Sequence, residues 1–323
     1  MKKRKIIGLG ITVFAAGVYL VNASWLAGVP DGEMSILAHR GVHQTFSPIG
    51  ISYKSCTAAQ IYEPSHDEIE NTLSSMQAAI YTGADIIEFD IHPTTDGEFA
   101  VFHDWTLDCR TNGRGATRDQ SLAELQALDI GYGYTADGGQ SFPFRGKFIG
   151  AMPSLNAVLD AFPNTVFNIN IKSRSAKEAR ALMAYIDARG GQDWARLIVN
   201  GHEAPINILR EVQPDILSYS KGQIKDCAKG YMLTGWFGKM PQACHNQIIP
   251  VPVNYRKMIW GWPHRFEKRL KGVGSRSMLI GPIEGSITTG IDRVEQLGFV
   301  PNNYKGIVFT NRVEVIGPEV MLK

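Results

Sequence analysis

The residues of this chain with the clearest capacity for chemistry are two carboxylates, Glu88 and Asp90, followed a short way downstream by His103. They lie in GADIIEFDIHPTTDGEFAVFHD, residues 83–104, whose first half alternates like a β-strand. Ile87, Phe89 and Ile91 fall on one face; Glu88, Asp90 and His92 fall on the other. Acids on a buried strand are costly to desolvate unless something positive meets them, so this spacing implies a bound cation or a cationic substrate group. A solvated strand edge is the plainer alternative, and the apolar opposite face together with His103 weighs against it. Thr95, Asp96 and Gly97 supply a turn. The run Glu98 to Phe102 then returns to His103 and Asp104, so one hairpin brings two acids and a histidine together.

Two other strands carry polar groups in the same way. VFNINIK, residues 166–172, sets Asn168, Asn170 and Lys172 opposite Phe167, Ile169 and Ile171. The apolar run at 34–38 ends at His39-Arg40-Gly41. Helical periodicity at 70–81, 153–161, 176–188, 206–212 and 291–297 separates these strands from shorter apolar runs at 197–200, 216–219, 248–251, 278–280 and 306–310. Strands alternating with helices predict a parallel sheet with helical crossovers, an α/β fold. Polar residues at strand C-termini predict a (β/α)8 TIM barrel with its chemistry on one rim. A polar stretch at 42–68 and an irregular, Gly-rich one at 105–152 are expected as loop insertions after strands 1 and 2.

Composition bounds the class. The 323 residues are 44% hydrophobic and 20% charged, with a formal net charge of +2. That is an ordinary globular balance, and no basic stripe or stacking motif points to nucleic acid. The N-terminus reads MKKRK, then a predominantly apolar run from Ile6 to Ala27. Residues 1–30 are therefore expected to be a transmembrane helix anchor, or else a signal peptide cleaved after Val21-Asn22-Ala23, with residues 31–323 forming one exported domain. Cys56, Cys109, Cys227 and Cys244 contain no CxxC pair; in an oxidising compartment Cys227 and Cys244, which bracket a short loop containing Gly and Pro, form the most economical bond, and Cys56 and Cys109 then pair across two loops. The aromatic-rich run from Trp236 to Phe266 either packs barrel helices or flanks a lipid-like leaving group.

HRG at 39–41, ENT at 70–72, GADIIEFD at 83–90, DGEFAVFHD at 96–104 and LDCRTNGRG at 107–115 resemble, in order and spacing, the glycerophosphodiester phosphodiesterase family, and within it a membrane-anchored bacterial subset. The resemblance is dense from about residue 34 to 172 and returns at GIVFTN near the end. It implies a (β/α)8 barrel hydrolysing glycerophosphodiesters to glycerol 3-phosphate and an alcohol with a divalent metal, Ca2+ or Mg2+. By position it implies His39 and His103 as the acid–base pair, Glu88 and Asp90 as metal ligands, and Arg40 and Lys172 facing the phosphate. Asn170 stands where the family usually has Glu, and Asn311 where Asp is common. An amide at 170 can still ligate a hard cation but brings no charge. Lysophospholipase D or phospholipase C-like action on lipid phosphodiesters, and a non-catalytic membrane-tethered binder, are the other readings. The implied location is the bacterial inner membrane with the catalytic domain in the periplasm.

Overall fold

A computed structural model describes residues 2–52, 55–283 and 289–322. After helix α1 (Lys2–Asn22) the chain enters β1 (Ser35–His39), α2 (Leu73–Tyr81), β2 (Ile86–Pro93) and β3 (Phe99–Val101). Short helices α3 (Leu122–Gln126) and α4 (Leu155–Ala161) lead to β4 (Val166–Ile171), α5 (Ala176–Ala188), β5 (Leu197–Gly201), α6 (Glu203–Val212) and β6 (Ser218–Ser220). The remainder is α7 (Lys221–Thr234), β7 (Ile248–Pro252), α8 (His264–Lys271), β8 (Arg276–Ile280), β9 (Ile307–Thr310) and α9 (Val313–Met321).

Eight of these strands form a parallel sheet in the order β6-β5-β4-β2-β1-β9-β8-β7, and β3 branches off as the antiparallel partner of β2. The two ends of the sheet meet where the Ser218 N–H of β6 donates to the carbonyl of Asn246, just before β7, at 3.3 Å. The sheet is thus a nearly closed barrel.

The strand alternation explains its layers. Ile87, Phe89 and Ile91 of β2 pack outward with Phe167, Ile169 and Ile171 of β4 against the helices. Burying each such side chain contributes about 1.5–3 kcal/mol. The inward faces begin apolar, with Leu37, Ile86, Ile198, Ile248, Met278 and Ile307 filling the lower barrel. They turn polar toward the strand C-termini, where register sets His39 beside Glu88, Glu88 beside Asn168, and Asp90 beside Asn170. The apolar plug carries the fold and the upper layer is left for chemistry.

The chain after β1 and the chain after β3 pack on each other through Ile61, Ile69, Leu107, Leu125, Tyr134 and Phe144. The Cys56–Cys109 disulfide joins these excursions, and Cys227–Cys244 joins α7 to the short turn before β7. Three local expectations change. Helix α2 starts only at Leu73, since Thr72 caps it by accepting from the Ser75 N–H. The segment expected as a helix at 291–297 is a 3-10 stretch, Val294–Phe299. Cys227 lies inside α7, a helix the sequence hides behind Gly222 and Gly230, rather than at the edge of a loop.

The N-terminal expectation is also corrected. Residues Lys2–Asn22 do form a helix, but among the described residues no helix is long and apolar enough to cross a membrane. The helix takes in the apolar run only from Ile6 to Val21, which rises about 24 Å at helical pitch, short of a hydrocarbon core roughly 30 Å thick. Its last turn is held by the barrel: Asn22 Nδ2 donates to the Trp236 carbonyl at 2.6 Å, and Arg269 donates to the Asn22 side-chain oxygen and the Val21 carbonyl at 2.9 Å each.

Candidate active site

At the end of β1 the chain turns sharply. Arg40 and Gly41 both take positive φ, 58° and 75°. A Cβ at Gly41 would lie 2.6 Å from Ser75 Oγ, so only glycine fits. For Arg40 this backbone is unfavourable by about 1–3 kcal/mol. It is held from both sides: its N–H donates to the Glu88 carbonyl at 2.9 Å, and its carbonyl accepts from the Asn71 N–H at 3.1 Å. The guanidinium is thereby aimed into the barrel mouth, 3.0 Å from Glu70 and 3.4 Å from Asp90.

The ENT triplet has a physical division of labour. Glu70 is buried and bridges Arg40 and Arg110, the latter at 3.1 Å. Burial pushes its carboxyl up, but Arg110 and then Arg40 outweigh that and hold it below its ordinary value. Asn71, also at positive φ, accepts from the Asp90 N–H and donates to Asp90 Oδ2. Thr72 caps α2. These supporting residues are a part of the site that strand patterning does not reveal; the triplet itself was the only signal.

The acid pair is asymmetric. Asp90 Oδ1 faces the Lys172 ammonium at 3.3 Å and accepts from Asn170 Nδ2 at 2.8 Å. Burial would raise its pKa, yet Lys172, then His103 and Arg40, hold it far below the usual carboxylate range. Arg40 and Lys172 act on Glu88 too, but more weakly than its burial. Its Oε2 lies 3.8 Å from His39 Nε2 and has no hydrogen-bond partner. Burial, and secondly the Asp90 charge, push its pKa up to about 8.

Each histidine is oriented through Nδ1, but by different groups. His39 Nδ1 meets Asn311 Oδ1 at 2.7 Å, and Asn311 is anchored by donating to Asp292 at 2.9 Å. An amide oxygen only accepts, so His39 keeps its proton on Nδ1 and a lone pair on Nε2. His103 Nδ1 meets the Asp104 carboxylate at 2.6 Å, and Asp104 in turn accepts from Arg110 Nε at 2.9 Å. Burial, then Arg40, lower the pKa of both rings. The structure therefore brings His39, Arg40, Glu88, Asp90, His103, Asn170 and Lys172 to one rim. His43 lies edge-on to His39, ring centroids 5.7 Å apart. His92, wholly buried, meets Trp105 edge-on with ring centroids 5.4 Å apart, and its Nε2 lies 3.4 Å from the His103 carbonyl. Asn168 donates to Tyr219 and accepts from Asn200, so it is fully used one layer below.

A divalent cation fits this set loosely. Among the described residues no three His, Cys, Asp or Glu side chains are grouped to hold a metal. The unpartnered Glu88 oxygen and its raised pKa mark where positive charge is missing. Asp90 and the Asn170 amide are the neighbours that could share an ion with it.

The fold is a nearly closed eight-stranded parallel barrel of the TIM type that brings cations, acids and two oriented histidines to one rim. Residues 39–226 match the glycerophosphoryl diester phosphodiesterase family, and the chain belongs to it. A glycerophosphodiester phosphodiesterase of Caldanaerobacter subterraneus is 36% identical over 107 residues, 33% of this chain and 40% of that protein. Human lysophospholipase D GDPD1 is 30% identical over 160 residues, 48% of this chain and 45% of that protein. The chain thus spans less than half the length of these relatives. Among solved structures, a glycerophosphoryl diester phosphodiesterase domain from Mycobacterium tuberculosis superposes with a TM-score of 0.59, covering 91% of this chain and 100% of that one at 15% identity. A phosphodiesterase from Oleispira antarctica in complex with the product sn-glycerol-3-phosphate gives 0.52, covering 91% and 96% at 17% identity.

Proposed function

We propose that this protein hydrolyses glycerophosphodiesters to glycerol 3-phosphate and an alcohol. The observation that carries the reading is the pairing of two Nδ1-anchored histidines with the Arg40–Asp90–Lys172 cluster on one barrel rim. Arg40 and Lys172 attract the phosphodiester anion and stabilise charge that builds on its oxygens. His39, held by a neutral amide, stays unprotonated and takes the proton of the attacking hydroxyl group. His103, backed by Asp104, carries a proton more readily and gives it to the departing alkoxide. One P–O bond forms, the other breaks, and a single proton is passed on each side. General acid–base steps of this kind contribute about 10²–10⁴-fold each.

A divalent ion, Ca2+ or Mg2+, held by Glu88, Asp90 and Asn170 would neutralise Glu88 and polarise a phosphoryl oxygen. With one carboxylate replaced by an amide, the ion is expected to be weakly bound. Two disulfides support export to an oxidising compartment such as the periplasm, with residues 31–323 as the catalytic domain and the exposed apolar side chains of α1 in contact with a membrane surface. The test is release of glycerol 3-phosphate from glycerophosphocholine, glycerophosphoethanolamine and glycerophosphoglycerol, with and without chelator. Product formation by wild type and its loss in His39→Gln and His103→Gln are expected. Equal rates in all three proteins would refute the assignment.

A further inference from the structure

The two histidines meet groups of different kinds at Nδ1. A carboxylate can only accept, so Asp104 holds the Nδ1 proton of His103 unaided. Asn311 is an amide, with an accepting end and a donating end of nearly the same size. Turned end for end, it would offer its NH2 to His39. Nδ1 would then have to accept, and the ring proton would move to Nε2. Whatever decides which way Asn311 faces therefore decides whether His39 has a lone pair on Nε2 for the proton of the attacking group.

The deciding group is Asp292. Its Oδ2 accepts from Asn311 Nδ2 at 2.9 Å, which turns the amide oxygen toward His39. The same oxygen accepts from the Gly290 N–H at 3.1 Å. Its Oδ1 accepts from the Asn311 backbone N–H at 2.7 Å and from Thr310 Oγ1 at 3.2 Å. A carboxylate has no proton to give any of these donors, so the amide has one orientation open to it. The carboxylate is itself held in place. The N–H groups of Asp292 and Arg293 donate to Gln296 Oε1 at 2.8 and 2.9 Å, and the Ile291 N–H donates to the Phe309 carbonyl at 2.8 Å. A Cβ at Gly290 would meet Asp292 Oδ1 and lie 2.9 Å from the Asn311 nitrogen, so this close approach needs glycine. Asp292 stands outside residues 39–226, the stretch that matches the family.

We propose that Asp292 is the positioning residue of the base: it sets the Asn311 amide and, through it, the tautomer of His39. The inference rests on the phosphodiesterase reading above for the part His39 plays, and it deepens that reading by one residue. Asp292 acts through Asn311 and exchanges no proton itself. With the amide set, Nε2 of His39 takes the proton of the attacking group while the Nδ1 proton stays where it is.

The test is the tautomer of His39, read from the nitrogen NMR shifts of the ring in histidine-labelled protein without substrate, at a pH above the ordinary imidazole range. His39→Gln assigns the signal. Wild type should carry the proton on Nδ1. In Asp292→Asn the new amide must present an NH2 to a group that already donates. The backbone N–H groups of Gly290 and Asn311 cannot turn, but the Asn311 side chain can, and its own NH2 then swings to His39. The ring proton should move to Nε2, and kcat for glycerophosphocholine should fall about 10²–10⁴-fold with KM changed little. The double variant Asp292→Asn/Asn311→Asp sets a pure acceptor beside His39 again. Its ring proton should return to Nδ1 and its kcat to within about tenfold of wild type. A wild-type ring protonated on Nε2 overturns the proposal with no variant needed, and so does a double variant protonated there. Loss of activity in Asp292→Asn with the Nδ1 proton unmoved overturns it too, since the effect would then be merely structural. Tautomers that follow this scheme in a protein that cleaves no diester uphold the role of Asp292 and overturn the phosphodiesterase reading instead.

Discussion

The substitution Asn170→Glu isolates the question of what the acid pair lacks. In the structure Asn170 Nδ2 donates to Asp90 Oδ1 at 2.8 Å. A carboxylate in its place removes that bond, a loss of roughly 2 kcal/mol for a donor to a charged acceptor. It also sets a like charge close to Asp90, worth about 4 kcal/mol at 4 Å for an effective dielectric constant of 20. The Lys172 ammonium, 3.3 Å from Asp90, takes back part of this. A net destabilisation of roughly 3–5 kcal/mol follows, which at 2–4 °C per kcal/mol lowers Tm by about 10 °C. Divalent ions should reverse the loss, because three carboxylates then surround the position where Glu88 is unmet, and Ca2+ or Mg2+ should raise the variant's Tm far more than that of wild type. Thermal unfolding in chelator and across a metal titration measures both effects. A variant as stable as wild type in chelator would show that Asn170 does not hold Asp90. A variant destabilised but indifferent to metal would remove Asn170 from any ion site.

Other outcomes follow from the same contacts. Asp104→Asn leaves His103 sterically supported but without the charge that favours its protonated form, so kcat should fall about 10²-fold with KM changed little, measured on glycerophosphocholine. Glu70 is held below its ordinary pKa, so its contribution to stability is present above the unfolded value near 4.3 and is lost as pH falls below it. Urea midpoints should accordingly drop between pH 5 and 3 for wild type, while Glu70→Gln is weaker at pH 7 and flatter with pH. Replacing Cys227 and Cys244 together by Ser opens a link of 17 residues and should cost about 3 kcal/mol, read as a lower Tm; an unchanged Tm would show that the bond does not constrain the unfolded chain.

The layers of the barrel were legible because β-strands write their environment with period two. Ile87, Phe89 and Ile91 against Glu88 and Asp90, repeated in Phe167, Ile169 and Ile171 against Asn168 and Asn170, state both the helix-facing and interior surfaces. The convergence of His39 with Glu88 was readable for the same reason, since both end parallel strands. What escaped was whatever depends on distant segments meeting. Glu70 joins Arg40 and Arg110 from two excursions, and no local pattern announces a three-way ion cluster. Asn168 and Asn170 look equivalent along the strand, yet one layer of height separates an amide used by Tyr219 and Asn200 from one placed on Asp90. Helix α7 escaped because its two glycines and even polarity blur the helical period. The aromatic run proved to be divided: Tyr255 and Trp260 line a cavity that His39 and Glu88 also line, while Trp262 packs on Phe266 and Tyr304.

The joint between β6 and β7 has a consequence for how the molecule moves. Elsewhere neighbouring strands share ladders, up to six residue pairs between β2 and β4, whereas among the described residues β6 meets the chain just before β7 through one backbone bond. Parting them breaks no ladder, and the Cys227–Cys244 bond between α7 and the turn before β7 limits how far they separate. Amide exchange at Ser218 should therefore outpace that of Ile169 or Phe89 by orders of magnitude. The barrel is in effect a split ring, its seam opposite β1 and β2, the strands on which His39 and Glu88 stand.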